Sequence, residues 1–113
     1  LGDVYKRQEL NRPLVDILRA LKSEYYIALV TTATRRNVER ILEHFSLAEL
    51  FDAVVTQEDV LHAKPDPFCY NMVIERFGVD RSRCIIFEDS ASGVAAALAS
   101  GCQTLRVRKG AAL

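Results

Sequence analysis

The chain has 113 residues, half of them hydrophobic, and this length accommodates one globular domain. Its 15 basic and 15 acidic side chains balance, so there is no basic excess of the kind that indicates a nucleic-acid or an anionic-membrane partner. The apolar runs are only a few residues long, which predicts neither a membrane span nor a signal peptide, and we expect a soluble protein of the cytoplasm.

The first eight residues, LGDVYKRQ, lack a helical or a strand period. Within them, DVYKRQ resembles the in-frame translation of a transposase mosaic-end adapter used to prepare sequencing libraries. We therefore expect residues 1–8 to be an adapter scar and the domain to comprise residues 9–113. A frayed native terminus is the alternative.

The next two segments predict a helix and then a strand. In NRPLVDILRALKS, Asn11 is placed to cap a helix, Pro13 lies in the first turn, and apolar residues recur at helical spacing, at Leu14, Ile17, Leu18 and Leu21. The run YIALV, from Tyr26 to Val30, is apolar throughout and too short for a helix. Such a run is typical of a strand buried on both faces.

The same alternation continues through the middle of the chain. RRNVERILEHF repeats the helical spacing, LAELF predicts a short turn, and AVV predicts a second buried strand. PFCYNMVIERFG predicts a helix that ends at Gly78 and whose apolar face comprises Cys69, Met72, Val73 and Phe77.

Two further strands flank an alanine-rich helix. CIIF and QTLRV predict the strands, and SGVAAALASG, closed by Gly101, predicts the helix. Strands that alternate with helices over short connections predict an α/β fold with a parallel sheet covered on both sides. The three cysteines, Cys69, Cys84 and Cys102, are odd in number and lack close pair spacing, so we expect core residues rather than disulfides or a zinc site.

Polar side chains follow the first three predicted strands. Thr31 and Thr32 follow the first strand, Lys64 lies in the HAKPDP loop after the second, and Glu88 and Asp89 close the third. Because the carboxyl ends of parallel strands form the ligand crevice, we expect these clusters to converge. Hydroxyls, a lysine and two acids together suit a phosphate and a divalent metal.

Each cluster also has a purely structural interpretation. Thr31, Thr32 and Thr34 can each cap the following helix, and Lys64 can be a solvated loop lysine. Glu88 and Asp89 can form a surface turn, but two unit charges about 4 Å apart repel by roughly 4 kcal/mol at an effective dielectric constant of 20. This repulsion favours a bound cation, and magnesium takes oxygen ligands of this type.

The other polar candidates are expected to be structural. Arg35 and Arg36 begin a helix and are expected to face solvent, and His62 is expected to be an exposed loop residue. Ser90 is placed to cap the last helix, and Gly93 lets that helix pack closely.

Three segments in this order, VTTAT, HAKPDP and FEDSASGVAAALASG, closely resemble the motifs of the haloacid dehalogenase-like hydrolase superfamily. The similarity is to the branch that contains β-phosphoglucomutase and phosphoglycolate phosphatase, and it extends from about Arg12 to Val107. It implies a Rossmann-like core with a parallel sheet.

The resemblance also implies a role for each polar residue. Thr31 would bind the transferring phosphoryl group with its hydroxyl, and the backbone of Thr32 would assist. Lys64 would neutralise the phosphate and the nucleophile. Glu88 and Asp89 would hold Mg²⁺, with Asp89 as the direct ligand.

One family motif has no counterpart in this sequence. Members carry an Asp-x-Asp motif after their first strand, whose leading aspartate attacks phosphorus. The acids that precede Thr31 do not follow an apolar strand, so no nucleophile can be assigned; they are Asp3, Glu9, Asp16 and Glu24. The cap domain found between the first two motifs is absent as well, and the chain resembles the C-terminal half of such an enzyme.

The family strand order, 5-4-1-2-3, makes a topological prediction. The four strands present correspond to the second to fifth, so YIALV should pair with AVV, and CIIF should pair with QTLRV. The first, central strand should be missing between the pairs, which predicts either a vacancy there or a collapsed rearrangement that closes it. The implied function is part of a magnesium-dependent phosphatase that acts on small phosphorylated metabolites through an aspartyl-phosphate. The alternatives are a sugar phosphomutase of the same family and a noncatalytic α/β binding or regulatory module.

Overall fold

The computed structural model describes residues 11–107. Helices and strands alternate along this part of the chain: α1 Arg12–Leu21, β1 Ala28–Val30, α2 Arg35–His44, β2 Ala53–Val55, α3 Phe68–Phe77, β3 Ile85–Glu88, α4 Ala91–Ala99 and β4 Gln103–Arg106. The predicted α/β alternation is confirmed. The expected adapter scar, residues 1–8, lies outside the described residues. No helix between residues 11 and 107 is long and apolar enough to cross a membrane.

The helix ends follow local sequence signals. Asn11 caps α1 by accepting a hydrogen bond of 3.1 Å from the Leu14 amide, and Ser90 caps α4 by accepting one of 3.0 Å from the Gly93 amide. Each cap satisfies a backbone donor that the first helical turn leaves unpaired. Helix α3 ends at Gly78, whose φ of 63° lies in the left-handed region that glycine adopts without a steric penalty.

The four strands form two separate parallel pairs. Strand β1 pairs with β2, with Ala28 opposite Ala53, and β3 pairs with β4, with Ile85 opposite Gln103. Within residues 11–107, β1 and β3 are not hydrogen-bonded to each other. The observed pairs are the two that the family strand order predicts, and within the described part of the chain each of β1 and β3 has one strand neighbour.

Among residues 11–107, two apolar clusters form the core. The larger lies around α2 and β1 and comprises Ile27, Val38, Leu42, Leu47 and Leu50. The smaller joins α3 to α4 and comprises Cys69, Tyr70, Ala96 and Ala97. The expectation that the cysteines are core residues is confirmed for Cys69 and Cys102, which are buried and free, whereas Cys84 is only half-buried.

The first strand and its burial differ from the prediction. Strand β1 begins at Ala28 rather than at Tyr26, because Tyr26 turns outward and stacks on Phe77 with their ring centroids 4.6 Å apart. Coverage on both faces is also wrong for the second pair, since Ile85 and Leu105 are more than half exposed. Ile86, the next residue on β3, points to the opposite face and packs against the smaller cluster, which joins α3 to α4.

The buried face of α3 is rotated relative to the predicted one. The buried residues are Cys69, Tyr70 and Ile74, whereas Met72, Val73 and Phe77 are only half-buried. Tyr70 is not part of the predicted face, and a buried tyrosine hydroxyl needs a hydrogen-bond partner. The fold supplies that partner at the carboxyl end of β3.

Candidate active site

Lys64 links the carboxyl ends of β1 and β3. Its ammonium lies 2.8 Å from Glu88 Oε2, at the end of β3, and donates a hydrogen bond of 3.3 Å to the carbonyl of Val30, at the end of β1. The side chains of Lys64 and Glu88 are 8% and 10% exposed. The structure therefore brings two of the expected residues together as a nearly buried ion pair between the two strand pairs.

A pocket of about 230 Å³ opens beside Lys64. Its polar lining comprises Thr31, Thr32, Gln57 and Lys64, and the rest of its wall is apolar. This volume is below the range of pockets for drug-sized ligands and suits a group as small as a phosphoryl. The threonines after β1 and the lysine after β2 thus share one cavity, as expected.

The three threonines after β1 have different local roles. Thr34 is the residue that caps α2. The Thr31 amide continues the β1–β2 ladder with a bond of 2.9 Å to the Val55 carbonyl, and the Thr31 hydroxyl oxygen accepts a bond of 3.1 Å from the Ala33 amide. Thr32 is exposed. The capping interpretation therefore holds for Thr34, whereas the hydroxyl hydrogen of Thr31 remains able to donate to a ligand.

Glu88 receives hydrogen bonds on both carboxylate oxygens. Oε2 accepts from the Tyr70 hydroxyl at 2.6 Å in addition to Lys64. Oε1 accepts from the amides of Asp89 and Ser90 at 3.1 and 3.4 Å and from the Ser90 hydroxyl at 3.3 Å. Burial disfavours ionisation of Glu88, but the hydrogen bonds from Lys64 and Tyr70 outweigh it and lower the pKa to about 2.

Gly93 makes room for the Glu88 side chain. A Cβ at position 93 would overlap the Glu88 carboxyl carbon, Oε2 and Cγ. Gly93 is buried in the first turn of α4, directly beside the end of β3. The expectation that Gly93 permits close packing is confirmed, and the group that it admits is the carboxylate of the ion pair.

Asp89 presents a different environment from its neighbour. It is exposed, and its backbone amide rather than its carboxylate takes part in the Glu88 network. Between residues 11 and 107 no group of three or more histidine, cysteine or acidic side chains is placed to hold a metal ion. Asp89 offers an open carboxylate, whereas the Glu88 oxygens already have protein donors, so the described residues fit only part of a near-octahedral magnesium shell.

Tyr70 is a site residue that the sequence reasoning missed. It lies on the first turn of α3, is 6% exposed, and contacts both members of the ion pair. Burial, followed by the hydrogen bond to Glu88, raises the pKa of Tyr70 above its ordinary value. The available sequence signal was its position six residues after Lys64, but helical spacing alone does not show which hydroxyl meets which carboxylate.

Arg35 is partly solvated, as expected, with 43% of its side chain exposed, and it also makes defined contacts. Its guanidinium pairs with Asp59 and donates a bond of 3.4 Å to the Val54 carbonyl, and its amide donates to the Glu58 carboxylate at 3.0 Å. Arg35 therefore connects the start of α2 to β2 and to the turn after β2 through hydrogen bonds and an ion pair. Arg36 is exposed, as expected. His62 is also exposed, as expected, and its ring packs edge-on against Phe68.

Comparison with known sequences gives one family and several curated relatives. The family model for haloacid dehalogenase-like hydrolases matches residues 6–107. The fructose-1-phosphate phosphatase of Escherichia coli is 35% identical over 96 residues, which cover 85% of this chain and 51% of that protein. Pyrophosphatase PpaX of Bacillus velezensis is 36% identical over 86 residues, which cover 76% of this chain and 40% of that protein. The chain spans about half the length, or less, of these relatives.

Solved structures share the fold. CbbY from Rhodobacter sphaeroides, crystallised as a mutant in complex with xylulose-1,5-bisphosphate, superposes with a TM-score of 0.85 at 25% identity, covering 95% of this chain and 50% of that one. A Thermotoga maritima protein assigned as a β-phosphoglucomutase gives a TM-score of 0.73 at 34% identity, covering 84% and 47%. With the family match and the two parallel strand pairs, these similarities establish that the chain belongs to the haloacid dehalogenase-like hydrolases.

Proposed function

We propose that the whole protein containing this chain is a phosphatase that hydrolyses phosphate esters of small metabolites. The observation that carries the proposal is the Lys64–Glu88 ion pair beside a pocket lined by Thr31 and Thr32. A cation, a hydroxyl and backbone amides at one edge of a sheet suit a phosphoryl group. Two relatives with 35% and 36% identity carry the name of a phosphatase or a pyrophosphatase, which supports this substrate class.

Three residues of the pocket would act on the phosphoryl group. The Thr31 hydroxyl would donate a hydrogen bond to one phosphoryl oxygen, and the Thr32 amide would donate to another. The Lys64 ammonium would offset the negative charge of the transferring group and of the nucleophile. Glu88 would keep this ammonium at the pocket by accepting its hydrogen bond.

The proposed cofactor is Mg²⁺, with Asp89 as a direct ligand and Glu88 beside it. Residues 11–107 fill only part of its shell, so further oxygen ligands would come from other parts of the whole protein. When bound, the ion would supply positive charge next to the phosphoryl oxygens.

The proposed transfer has two steps. An aspartate oxygen outside residues 11–107 would bond to phosphorus while the bond from phosphorus to the ester oxygen breaks, and the second aspartate of the Asp-x-Asp motif would protonate that oxygen so that it leaves as an alcohol. Water, deprotonated by the same second aspartate, would then attack phosphorus and cleave the aspartyl-phosphate to release inorganic phosphate. Asp16 and Glu24 do not fit this role, because Asp16 lies on α1 and Glu24 precedes β1 instead of following a strand. Asp3 and Glu9 lie outside the described residues.

A sugar phosphomutase is the second candidate. The observation that favours it is the 34% identity to the Thermotoga maritima protein assigned as a β-phosphoglucomutase. A mutase would return the phosphoryl group to a sugar instead of to water. A noncatalytic binding module would hold phosphate in the same pocket without turnover.

An assay of the whole gene product separates these functions. With an aryl phosphate as substrate, we expect release of inorganic phosphate that depends on Mg²⁺. Isomerisation of a sugar phosphate without net phosphate release would indicate the mutase, and binding of inorganic phosphate without either reaction would indicate the module.

Variants of the same protein test the residue roles. Lys64→Ala and Asp89→Asn should each lower kcat/KM by about 100-fold or more, because each removes charge that is used in the transition state. Arg36→Ala, which changes an exposed arginine of α2, serves as the matched control and should retain activity. Full activity of Asp89→Asn would contradict the metal assignment.

A further inference from the structure

Tyr70 contacts both members of the Lys64–Glu88 ion pair. Its hydroxyl donates to Glu88 Oε2 at 2.6 Å, which is the same oxygen that lies 2.8 Å from the Lys64 ammonium. Its ring centroid lies 5.2 Å from that ammonium, within the range of a cation–π contact. Each of the three side chains therefore contacts the other two, and Tyr70 is the most buried of them.

The contact between Tyr70 and Glu88 affects the position of the Lys64 ammonium. A carboxylate that accepts a bond from a fixed phenol cannot rotate freely, and its Oε2 then presents a fixed acceptor to the Lys64 ammonium. Lysine has a long, flexible side chain, so without such an acceptor its ammonium would sample several positions. A tyrosine phenol carries its proton at physiological pH, so in this contact the Tyr70 hydroxyl is the donor and the Glu88 carboxylate is the acceptor.

We propose that Tyr70 is a positioning residue: its hydroxyl fixes Glu88, and through Glu88 it holds the Lys64 ammonium at the pocket between β1 and β3. Its consequence for catalysis rests on the proposed function, whereas its effect on the placement of Lys64 does not. A tyrosine that merely fills the core would change stability without a specific effect on Lys64.

The reactivity of Lys64 tests this placement directly. In the whole protein without added Mg²⁺, trace acetylation by acetic anhydride, read by mass spectrometry, gives the labelling ratio of Lys64 to Lys22. Lys22 is an internal reference, because its ion-pair partner is Asp52, at 2.9 Å, rather than Glu88. Tyr70→Phe keeps the ring and removes only the hydroxyl, so the ratio should rise several-fold.

Matched variants control for general loss of structure. Tyr25→Phe removes the hydroxyl of an exposed tyrosine and should leave the ratio unchanged. An unchanged labelling ratio in Tyr70→Phe, including the case in which both lysines are acetylated faster by the same factor, would overturn the proposal. Glu88→Gln provides a second test if Tyr70→Phe does not fold: it should raise the ratio by itself, and an unchanged ratio there would also overturn the proposal.

Kinetics of the whole protein test the catalytic consequence. Since Tyr70 does not line the pocket, Tyr70→Phe should lower kcat by about 10-fold with little change in KM, the loss expected when a hydrogen bond to a charged group is removed. A raised labelling ratio with unchanged kcat would overturn the role in the reaction. If the unmodified protein has no phosphatase activity, the proposed function fails, and the labelling ratio still decides whether Tyr70 positions Lys64.

Discussion

Glu88 is the side chain on which the hydrogen bonds of the site converge. Burial alone would raise its pKa, yet the donors supplied by Lys64 and Tyr70 lower it to about 2 from 4.5. The folded protein therefore favours the ionised carboxylate. A shift of this size corresponds to a stabilisation on the order of 3 kcal/mol at neutral pH.

The first prediction concerns the response of this carboxylate to acid. Because its pKa is lower in the folded state, the contribution of Glu88 is fully present above pH 4.5 and is lost as the pH falls toward about 2. Urea titrations should show that Glu88→Gln destabilises the protein at neutral pH and that the difference from the unmodified protein disappears over this window. Glu75→Gln, an exposed change on α3, is the control and should show no such convergence. A difference that stays constant with pH would contradict the prediction.

The second prediction concerns the glycine that admits Glu88. An alanine in a helix interior is favoured over glycine by about 1 kcal/mol. At Gly93, however, the added Cβ would overlap the Glu88 carboxyl group, and disrupting a buried ion pair costs roughly 3 to 5 kcal/mol. The second effect is larger, so Gly93→Ala should lower the free energy of unfolding and the activity of the whole protein.

Gly78→Ala is the matched control for that change. No heavy atom lies within 4 Å of a Cβ at Gly78, and its cost comes from the left-handed backbone alone. This variant should lose about 1 kcal/mol without affecting the site. Stabilisation by Gly93→Ala, as helix propensity alone predicts, would show that Glu88 is not held where the structure places it.

At the scale of elements, Asp59 connects the turn after β2 to the start of α2 by an ion pair with Arg35. Asp59 accepts hydrogen bonds from the amide and the hydroxyl of the fully buried Thr56, at 2.8 and 2.9 Å. It also pairs with Arg35, whose side chain is 43% exposed. An exposed ion pair contributes little, whereas a buried hydroxyl that loses its partner is costly.

This difference gives the third prediction. Asp59→Ala should lower the midpoint of thermal unfolding clearly more than Arg35→Ala does, because only Asp59→Ala leaves Thr56 without its carboxylate partner. Differential scanning calorimetry of both variants measures the two shifts. Equal shifts, or a larger one for Arg35→Ala, would indicate that the ion pair rather than the turn carries the stability.

The elements themselves were largely predictable, and the errors have physical causes. Helix α1 begins after Asn11 and α3 ends at Gly78 because these residues satisfy backbone groups locally. The face of α3 was wrong because burial there depends on a hydroxyl that finds Glu88, a contact across 18 residues of sequence. The start of β1 was wrong because Tyr26 stacks on Phe77 rather than entering the sheet.

The approach of the site residues was predictable from the sequence, whereas their detailed contacts were not. Lys64 and Glu88 follow strands, so topology alone predicts that they approach each other. Their direct ion pair, the space at Gly93 and the role of Tyr70 depend on side-chain geometry that spacing does not contain. The functional roles of the five site residues stay predictions for the assays above; they are Thr31, Thr32, Lys64, Glu88 and Asp89.

At the scale of the whole molecule, β1 and β3 each have one edge without a strand partner among the described residues. Each has a single partner within residues 11–107, and Lys64 bridges only their carboxyl ends. Ile85 and Leu105 also leave one face of the second pair more than half exposed. Unpaired strand edges and uncovered apolar surface both reduce the stability that a chain of this size can reach.

The final prediction is that the 113-residue chain alone is marginally stable and does not turn over phosphate esters, and that the preceding half of the whole protein restores both properties. That half would add a strand between β1 and β3 and supply the nucleophile.

Supplied as a separate polypeptide at about 100 times its dissociation constant, the preceding half should raise the free energy of unfolding of the 113-residue chain by about 2.7 kcal/mol through mass action. The same polypeptide with a proline in its first strand is the control, because proline cannot donate to the ladder. Urea titration and an aryl phosphate assay, each with and without the added half, measure the two effects. A midpoint of thermal unfolding well above about 65 °C for the short chain, or metal-dependent turnover by it, would contradict the prediction.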